Sequence, residues 1–234
     1  MDLSRPKQQD PRVVTHVIFD MDGLLLNTEP FYTEVAGNIA ARYGRVFDWS
    51  LKSRMIGLRA PESAKLFLET LGIPLSVTEY LAMRRGMLEA LFPLADPLPG
   101  AVELTAHLKR HGVPAGVASS SDSRYFGLKT QRHKGWFSTF DCVVLGDDPE
   151  VKEGKPAPDI FLVVARRLGA PPPRCLVFED APAGVEAARR AGMYAVAVPD
   201  PNMSEAAYRD AHQVLRSLRE FDPAAWGLPE MPGG

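Results

Sequence analysis

Short apolar runs that alternate with helical stretches constrain this chain more than any other feature. VTHVIF (14–19), VPAGVA (113–118), DCVVLG (141–146), RCLVF (174–178) and YAVAV (194–198) are brief, rich in β-branched residues and almost continuously apolar. That is the pattern of strands buried on both faces. AVELTAHLKRHG, DIFLVVARRLG and APAGVEAARRAG carry helical periodicity and stop at Gly112, Gly169 and Gly192. Alternation of this kind predicts an α/β protein with a Rossmann-like parallel sheet and helices on both faces. The alternation is interrupted once. Between Thr28 and Asp96 no strand pattern occurs, and EPFYTEVAGNIAARYG, PESAKLFLETLG and VTEYLAMRRGMLEALF all fit helices. The expected organisation is a core of residues 13–27 plus 97–228 with a helical unit, 28–96, inserted after the first strand. The proline-rich DPLPG (96–100) reads as its hinge. The polar lead 1–12 and the tail 229–234 are expected to be disordered.

Composition narrows the class. With 234 residues and 45% apolar residues, the chain can bury a sizeable core. A formal charge of -2 without any basic block gives no footprint for nucleic acid. No apolar run approaches bilayer length and the N-terminus lacks a signal pattern, so a soluble, cytoplasmic protein without a membrane partner is expected. Nothing in the pattern calls for an obligate protein partner. Cys142 and Cys175 lie inside strand-like runs and have no metal-binding or disulfide spacing, so both read as buried bystanders.

In open parallel sheets ligands bind beyond the carboxyl ends of the strands. The first strand is followed by Asp20-Met21-Asp22-Gly23 and the second by Ser119-Ser120-Ser121-Asp122. Gly154-Lys155-Pro156 follows the third at a longer interval, and Glu179-Asp180 follows the fourth. Each group alone has a plain structural role open to it: acids at strand ends cap helices, serines make turns, and a lysine is solvated. Together they set four carboxylates, a hydroxyl cluster and one lysine on a single edge. Like charges about 4 Å apart repel by roughly 4 kcal/mol at an effective dielectric of about 20. A phosphate added to four carboxylates therefore requires a cation beside Lys155, and oxygen-only ligands favour Mg²⁺ over zinc. The histidines lie outside all of these segments and read as structural or surface residues.

FDMDGLLLNTE, VASSS, GKPAPDIF and FEDAPAGVEAARRAGM resemble the four motifs of the haloacid dehalogenase-like hydrolases, and the resemblance covers nearly the whole chain. KTQRHKGWFS and GDDPEVKEGKPAPDIFL look most like the branch that acts on pseudouridine 5′-phosphate, while FYTEV, FDWSLK and WGLP are shared with plant glycerol-3-phosphatases. The resemblance implies a Mg²⁺-dependent phosphomonoesterase acting on a small phosphorylated metabolite, with the insert as a cap. It implies that Asp20 is the nucleophile, forming an aspartyl-phosphate, and that Asp22 is the acid and base. It makes Ser119 and the Ser120 backbone N–H the phosphoryl-binding groups and Lys155 their charge partner. Asp20, the Asp22 carbonyl and Asp180 would hold Mg²⁺, with Glu179 contributing directly or through water. It also implies a cis Lys155–Pro156 bond. Asn27 departs from the usual aspartate of the first motif; it is expected to cap the following helix equally well. Pseudouridine 5′-phosphate is the first substrate expected and glycerol 3-phosphate the second. A phosphomutase uses the same residues, and a non-catalytic metabolite-binding protein would share the fold but could lose the acids. In the cap, Arg59 reads as either a substrate contact or a solvated arginine. Phe31 and Tyr32 read as either stacking residues or cap core.

Overall fold

The computed structural model describes residues 14–56, 58 and 60–232. The expected lead and Arg59 fall outside the described residues. Among the described residues, one parallel sheet contains β1 (His16–Phe19), β2 (Ala115–Ser119), β3 (Cys142–Leu145), β4 (Cys175–Glu179), β5 (Tyr194–Ala197) and a short β6 (Gln213–Val214). Their order is β3-β2-β1-β4-β5-β6. Residues of alternate parity face opposite sides of the sheet. Val17 and Phe19 join Leu176 and Phe178 in a core closed by Leu104, Leu108 and Trp226. Ile18 and Val177 join Val144, Phe161 and Val164 on the other side. Burial on both faces explains why the strands read as unbroken apolar runs. β6 has only two residues at the sheet edge, too few to leave a run, and was not expected from the sequence.

Helix α5 (Ala101–Arg110) leads into β2, α6 (Ser123–Lys129) and α7 (Lys134–Phe137) follow it, α8 (Asp159–Leu168) joins β3 to β4, and α9 (Pro182–Arg190) joins β4 to β5. The chain leaves β1 toward β2 on one side and returns from β3 to β4 on the other. The order therefore reverses around β1, and the crevice at the carboxyl ends of β1, β2 and β4 lies at this reversal.

Between β1 and β2, the described residues of the insert form four α-helices where the sequence pattern predicts three. These are α1 (Glu29–Arg42), α2 (Trp49–Met55), α3 (Ala60–Leu71) and α4 (Val77–Leu91). α2 has only seven residues, about two turns, with Leu51 and Lys52 its buried residues, so its periodicity is too brief to read. The insert has its own core, built on Val35, Ile39, Phe67, Tyr80, Leu88 and Phe92. Its two connections run side by side: the Asn27 N–H donates to the Asp96 carbonyl at 2.9 Å and the Leu98 N–H to the Leu25 carbonyl at 2.9 Å. Asn27 is not the helix cap. Thr28 occupies that position, and its hydroxyl donates instead to Asp22 Oδ1 at 2.7 Å. At the far end, Pro229 of the expected tail is tied to the core, its carbonyl 2.9 Å from His107 Nε2. Both cysteines lie in strands, and burial pushes each thiol up to about 11.

Candidate active site

Asp20 is the first residue past β1. Its N–H donates to the Phe178 carbonyl of β4 at 3.0 Å, which fixes the carboxylate at the crevice. The chain then turns at once: the Gly23 N–H donates to the Leu26 carbonyl at 2.9 Å, with Gly23 at φ 77. This left-handed conformation favours glycine, and an added Cβ would also strike the Asp180 carboxylate. The turn thereby brings Asp22 back beside Asp20 and leaves room for Asp180.

Lys155 reaches the same point from the loop between β3 and α8, and its bond to Pro156 is cis. Its Nζ donates to Asp20 Oδ1 at 2.5 Å, to the Ala118 carbonyl at 3.3 Å and to Glu179 Oε1. Glu179 closes β4. Its other oxygen accepts the Ala181 N–H at 3.0 Å, so it serves the backbone ahead of α9 as well as the lysine. Asp180 follows, and its carbonyl accepts the buried Tyr208 hydroxyl at 2.5 Å. Among the described residues, carboxylate oxygens of Asp20, Glu179 and Asp180 come within 4.8 Å of one another.

The charges of this cluster do not balance on their own. Burial pushes Asp20 up to about 8, and Glu179 and Asp22 add to the effect against the attraction of Lys155. Burial, then Glu179, Asp20 and Glu29, raise Asp180 as well. Burial disfavours the charged form of Lys155, but the Asp20 and Glu179 carboxylates outweigh it and hold the ammonium charged. Crowded carboxylates served by one lysine are a fitting seat for a hard divalent cation with oxygen ligands.

Asp22 stands in different surroundings. Oδ1 accepts from Thr28 Oγ1 and, at 2.5 Å, from Lys129 Nζ; Oδ2 accepts from Ser121 Oγ at 2.9 Å and from Ser119 Oγ at 3.3 Å. Burial would raise this carboxyl, but Lys129 and the hydroxyls hold it below its ordinary value. The sequence singled out no role for Lys129. It is fully buried at the end of α6, 107 positions from Asp22, so no local spacing could have paired them. Burial opposes its charge, yet Asp22 and Tyr32 raise its pKa.

Of the expected phosphoryl-binding residues, Ser120 lines the open crevice together with Ser121. Ser119 is buried behind them, its hydroxyl directed to Asp22 and accepting the Ser121 N–H at 3.1 Å. Asp122, the last residue of that segment, caps α6 through the Tyr125 N–H.

The crevice opens to a cleft of about 620 Å³ between the sheet edge and the insert. Its floor carries Asp20, Asp22, Lys155, Glu179 and Asp180, and its roof carries Glu29, Tyr32, Phe47, Lys52, Tyr80 and Arg84. Tyr32 packs with the insert core, its ring edge-to-face with Phe92, and the Arg84 guanidinium lies 5.0 Å from its ring centre on the cleft side. Phe31 is partly buried and packs against both the sheet core and the insert core. Lys52 sits 3.5 Å from Glu29, whose carboxyl burial pushes upward.

This arrangement has known counterparts. Residues 14–192 match the sequence model of a hydrolase family described as haloacid dehalogenase-like hydrolase. The chain is 52% identical over 221 residues to (DL)-glycerol-3-phosphatase 1, mitochondrial, of Arabidopsis thaliana, covering 92% of this chain and 74% of the relative. It is 46% identical over 221 residues to a Drosophila melanogaster protein named probable pseudouridine-5′-phosphatase, covering 93% and 96%. Among solved structures, an HAD hydrolase of family IA, variant 3, from Entamoeba histolytica superposes with a TM-score of 0.78 at 21% identity, covering 92% of this chain and 98% of the other, a likeness of fold.

Proposed function

The chain belongs to the haloacid dehalogenase-like hydrolase family and is a phosphoric monoester hydrolase, and on that premise we propose that it is Mg²⁺-dependent, works through Asp20 and acts on pseudouridine 5′-phosphate. The observation that carries this reading is the meeting of Asp20, Lys155, Glu179 and Asp180 at one strand edge, with Asp22 alongside in separate surroundings.

Asp20 attacks phosphorus in line, and a bond forms between its carboxylate oxygen and phosphorus as the ester oxygen leaves. Lys155 counters charge on Asp20 and on the phosphoryl oxygens. Ser120, lining the crevice, offers its N–H to the phosphoryl group, and Ser119 supports Asp22 from behind. Asp22 gives a proton to the departing oxygen and then takes one from the water that opens the aspartyl-phosphate, a role typically worth about 10²–10⁴-fold. Its hydrogen-bond donors favour the charged form, the one needed in the second half-reaction. An arriving phosphate dianion pushes it toward the protonated form needed in the first. Asp20, Asp180, the Asp22 carbonyl and Glu179 would hold Mg²⁺, which supplies charge neutralisation at the transferring group.

The helical unit, residues 28–96, acts as a cap on the core formed by 13–27 and 97–228. Side-by-side linkers give it a place to hinge, and closing it would exclude water. The volume of the cleft and the Tyr32, Tyr80 and Phe47 rings in its roof suit a substrate with a ring as well as a phosphate. The Drosophila relative's name supports the same substrate. Glycerol 3-phosphate is the second reading, favoured by the higher identity to the Arabidopsis glycerol-3-phosphatase.

Phosphate release from pseudouridine 5′-phosphate, uridine 5′-phosphate and glycerol 3-phosphate, with Mg²⁺ and with EDTA, tests these statements. Mg²⁺-dependent release from the first substrate is expected. Preference for glycerol 3-phosphate keeps the chemistry and replaces the substrate. Release unaffected by EDTA removes the metal from the account.

A further inference from the structure

Lys129 is a fully buried lysine that the chemistry above does not use, yet it is bonded to a residue at the centre of that chemistry. Its ammonium lies where core and insert meet. On the core side it donates to Asp22 Oδ1 at 2.5 Å and to Ser121 Oγ at 2.7 Å. On the insert side it donates to the Tyr32 hydroxyl at 2.9 Å and lies 4.4 Å from the Phe92 ring centre. All three ammonium hydrogens are thus engaged, two on the core and one on the insert. An aromatic face covers the remaining side, where a cation is attracted by the ring quadrupole. Burying an ammonium in a dry site is costly unless it is paired, and removal of one partner from such a pair costs more than the pair contributes. A solvated aspartate could rotate among its staggered rotamers; one bonded to a cation that is itself held by two domains cannot.

We propose that Lys129 is a positioning residue that holds the Asp22 carboxylate facing the ester oxygen and, through the Tyr32 hydroxyl and Phe92, makes that placement depend on the helical insert being seated on the core. The inference rests on the reading of Asp22 as acid and base. Lys129 itself is fully buried and is not among the residues that line the cleft. Its effect must therefore appear where Asp22 is needed and vanish where Asp22 is not.

Esters with poor and good leaving groups separate the two cases. An alkyl phosphate needs a proton on its departing oxygen, whereas 4-nitrophenyl phosphate releases a stable anion and gains little from an acid. The experiment compares kcat and KM for both ester types in the full chain and in Asp22→Asn, Lys129→Met and Tyr32→Phe. The alkyl ester is whichever of pseudouridine 5′-phosphate and glycerol 3-phosphate turns over faster. Lys129→Met is expected to lower kcat about 100-fold or more on the alkyl ester, within the range for loss of acid–base assistance, and less than about 10-fold on 4-nitrophenyl phosphate, with KM little changed. Tyr32→Phe keeps the ammonium and removes only its tie to the insert, so it should show the same split on a smaller scale. This variant also carries the test should Lys129→Met not fold. Equal losses on both esters, or no loss on either, in a variant that folds overturn the inference while Asp22→Asn still shows the split. Absence of the split in Asp22→Asn itself overturns the reading of Asp22, and the inference with it.

Discussion

At Gly184, near the start of α9, an added Cβ would overlap the Glu179 carboxylate. Replacing glycine by alanine in a helix ordinarily stabilises it by about 1 kcal/mol. Gly184→Ala should act in the opposite direction, lowering the midpoint of thermal unfolding and weakening Mg²⁺ binding by displacing Glu179 from Lys155. A stabilised variant with unchanged metal affinity would show that Glu179 has freedom to move. The first-motif departure at Asn27 is of another kind. The Asn27 side chain is exposed, and its structural tie to Asp96 is made by its backbone N–H. Asn27→Asp should therefore leave kcat/KM within a few-fold, and a gain of orders of magnitude would give the side chain a role that its position does not suggest. Individual site residues were unequally legible in the sequence. Asp20 and Asp22 stand out because two acids and a glycine directly follow an apolar strand. Lys129 does not, because a lone lysine in sequence reads as a solvated one until the fold brings Asp22 to it.

Elements that bury a long stripe or a whole strand declared themselves, and those fixed by tertiary contact did not. β1 to β5 were readable as apolar runs and α1, α3, α4, α5, α8 and α9 from periodicity and terminal glycines. The two-residue β6, the seven-residue α2 and the short α6 and α7 take their form from what they pack on. Helix starts were the weakest point: Thr28 holds the position assigned to Asn27 and spends its hydroxyl on Asp22, a choice made by the site and not by the helix. Where capping is purely local, it follows the helix itself. Ser76 and Glu79 form a reciprocal capping box at the start of α4. Ser76→Ala should destabilise the insert by about 1 kcal/mol. The loss should be visible in chemical denaturation, with kcat unchanged at 25 °C, because the box lies on the exposed side of the insert. A loss of kcat without a loss of stability would tie this end of α4 to the cleft.

For the molecule as a whole, the reversal of strand order around β1 gathers residues from across the chain at one edge, and the insert roofs them over. The sequence motifs were sufficient to read this gathering in advance, since each follows a strand, at its end for Asp20, Ser119 and Glu179 and after a longer loop for Lys155. The choice of substrate was not readable in the same way, because the roof is assembled from Glu29, Tyr32, Lys52 and Arg84, on three different helices. Described residues contain no helix long and apolar enough to cross a membrane. A cation bound among Asp20, Glu179 and Asp180 should stabilise the fold by mass action, by about 2.7 kcal/mol at a hundredfold excess over its dissociation constant. A Mg²⁺ titration followed by thermal unfolding should show a rise in the native chain and a much smaller one in Asp180→Asn. Equal rises in both would place the cation elsewhere.

The central claim is that the phosphoryl group passes through Asp20. Acid quenching of the enzyme during turnover, followed by peptide mass mapping, tests it most directly. The account predicts a phosphoryl group on the peptide carrying Asp20 in the native enzyme, with both that peptide and steady-state phosphate release lost in Asp20→Asn. Sustained phosphate release by Asp20→Asn, or a phosphoryl group trapped on a different residue, would contradict it.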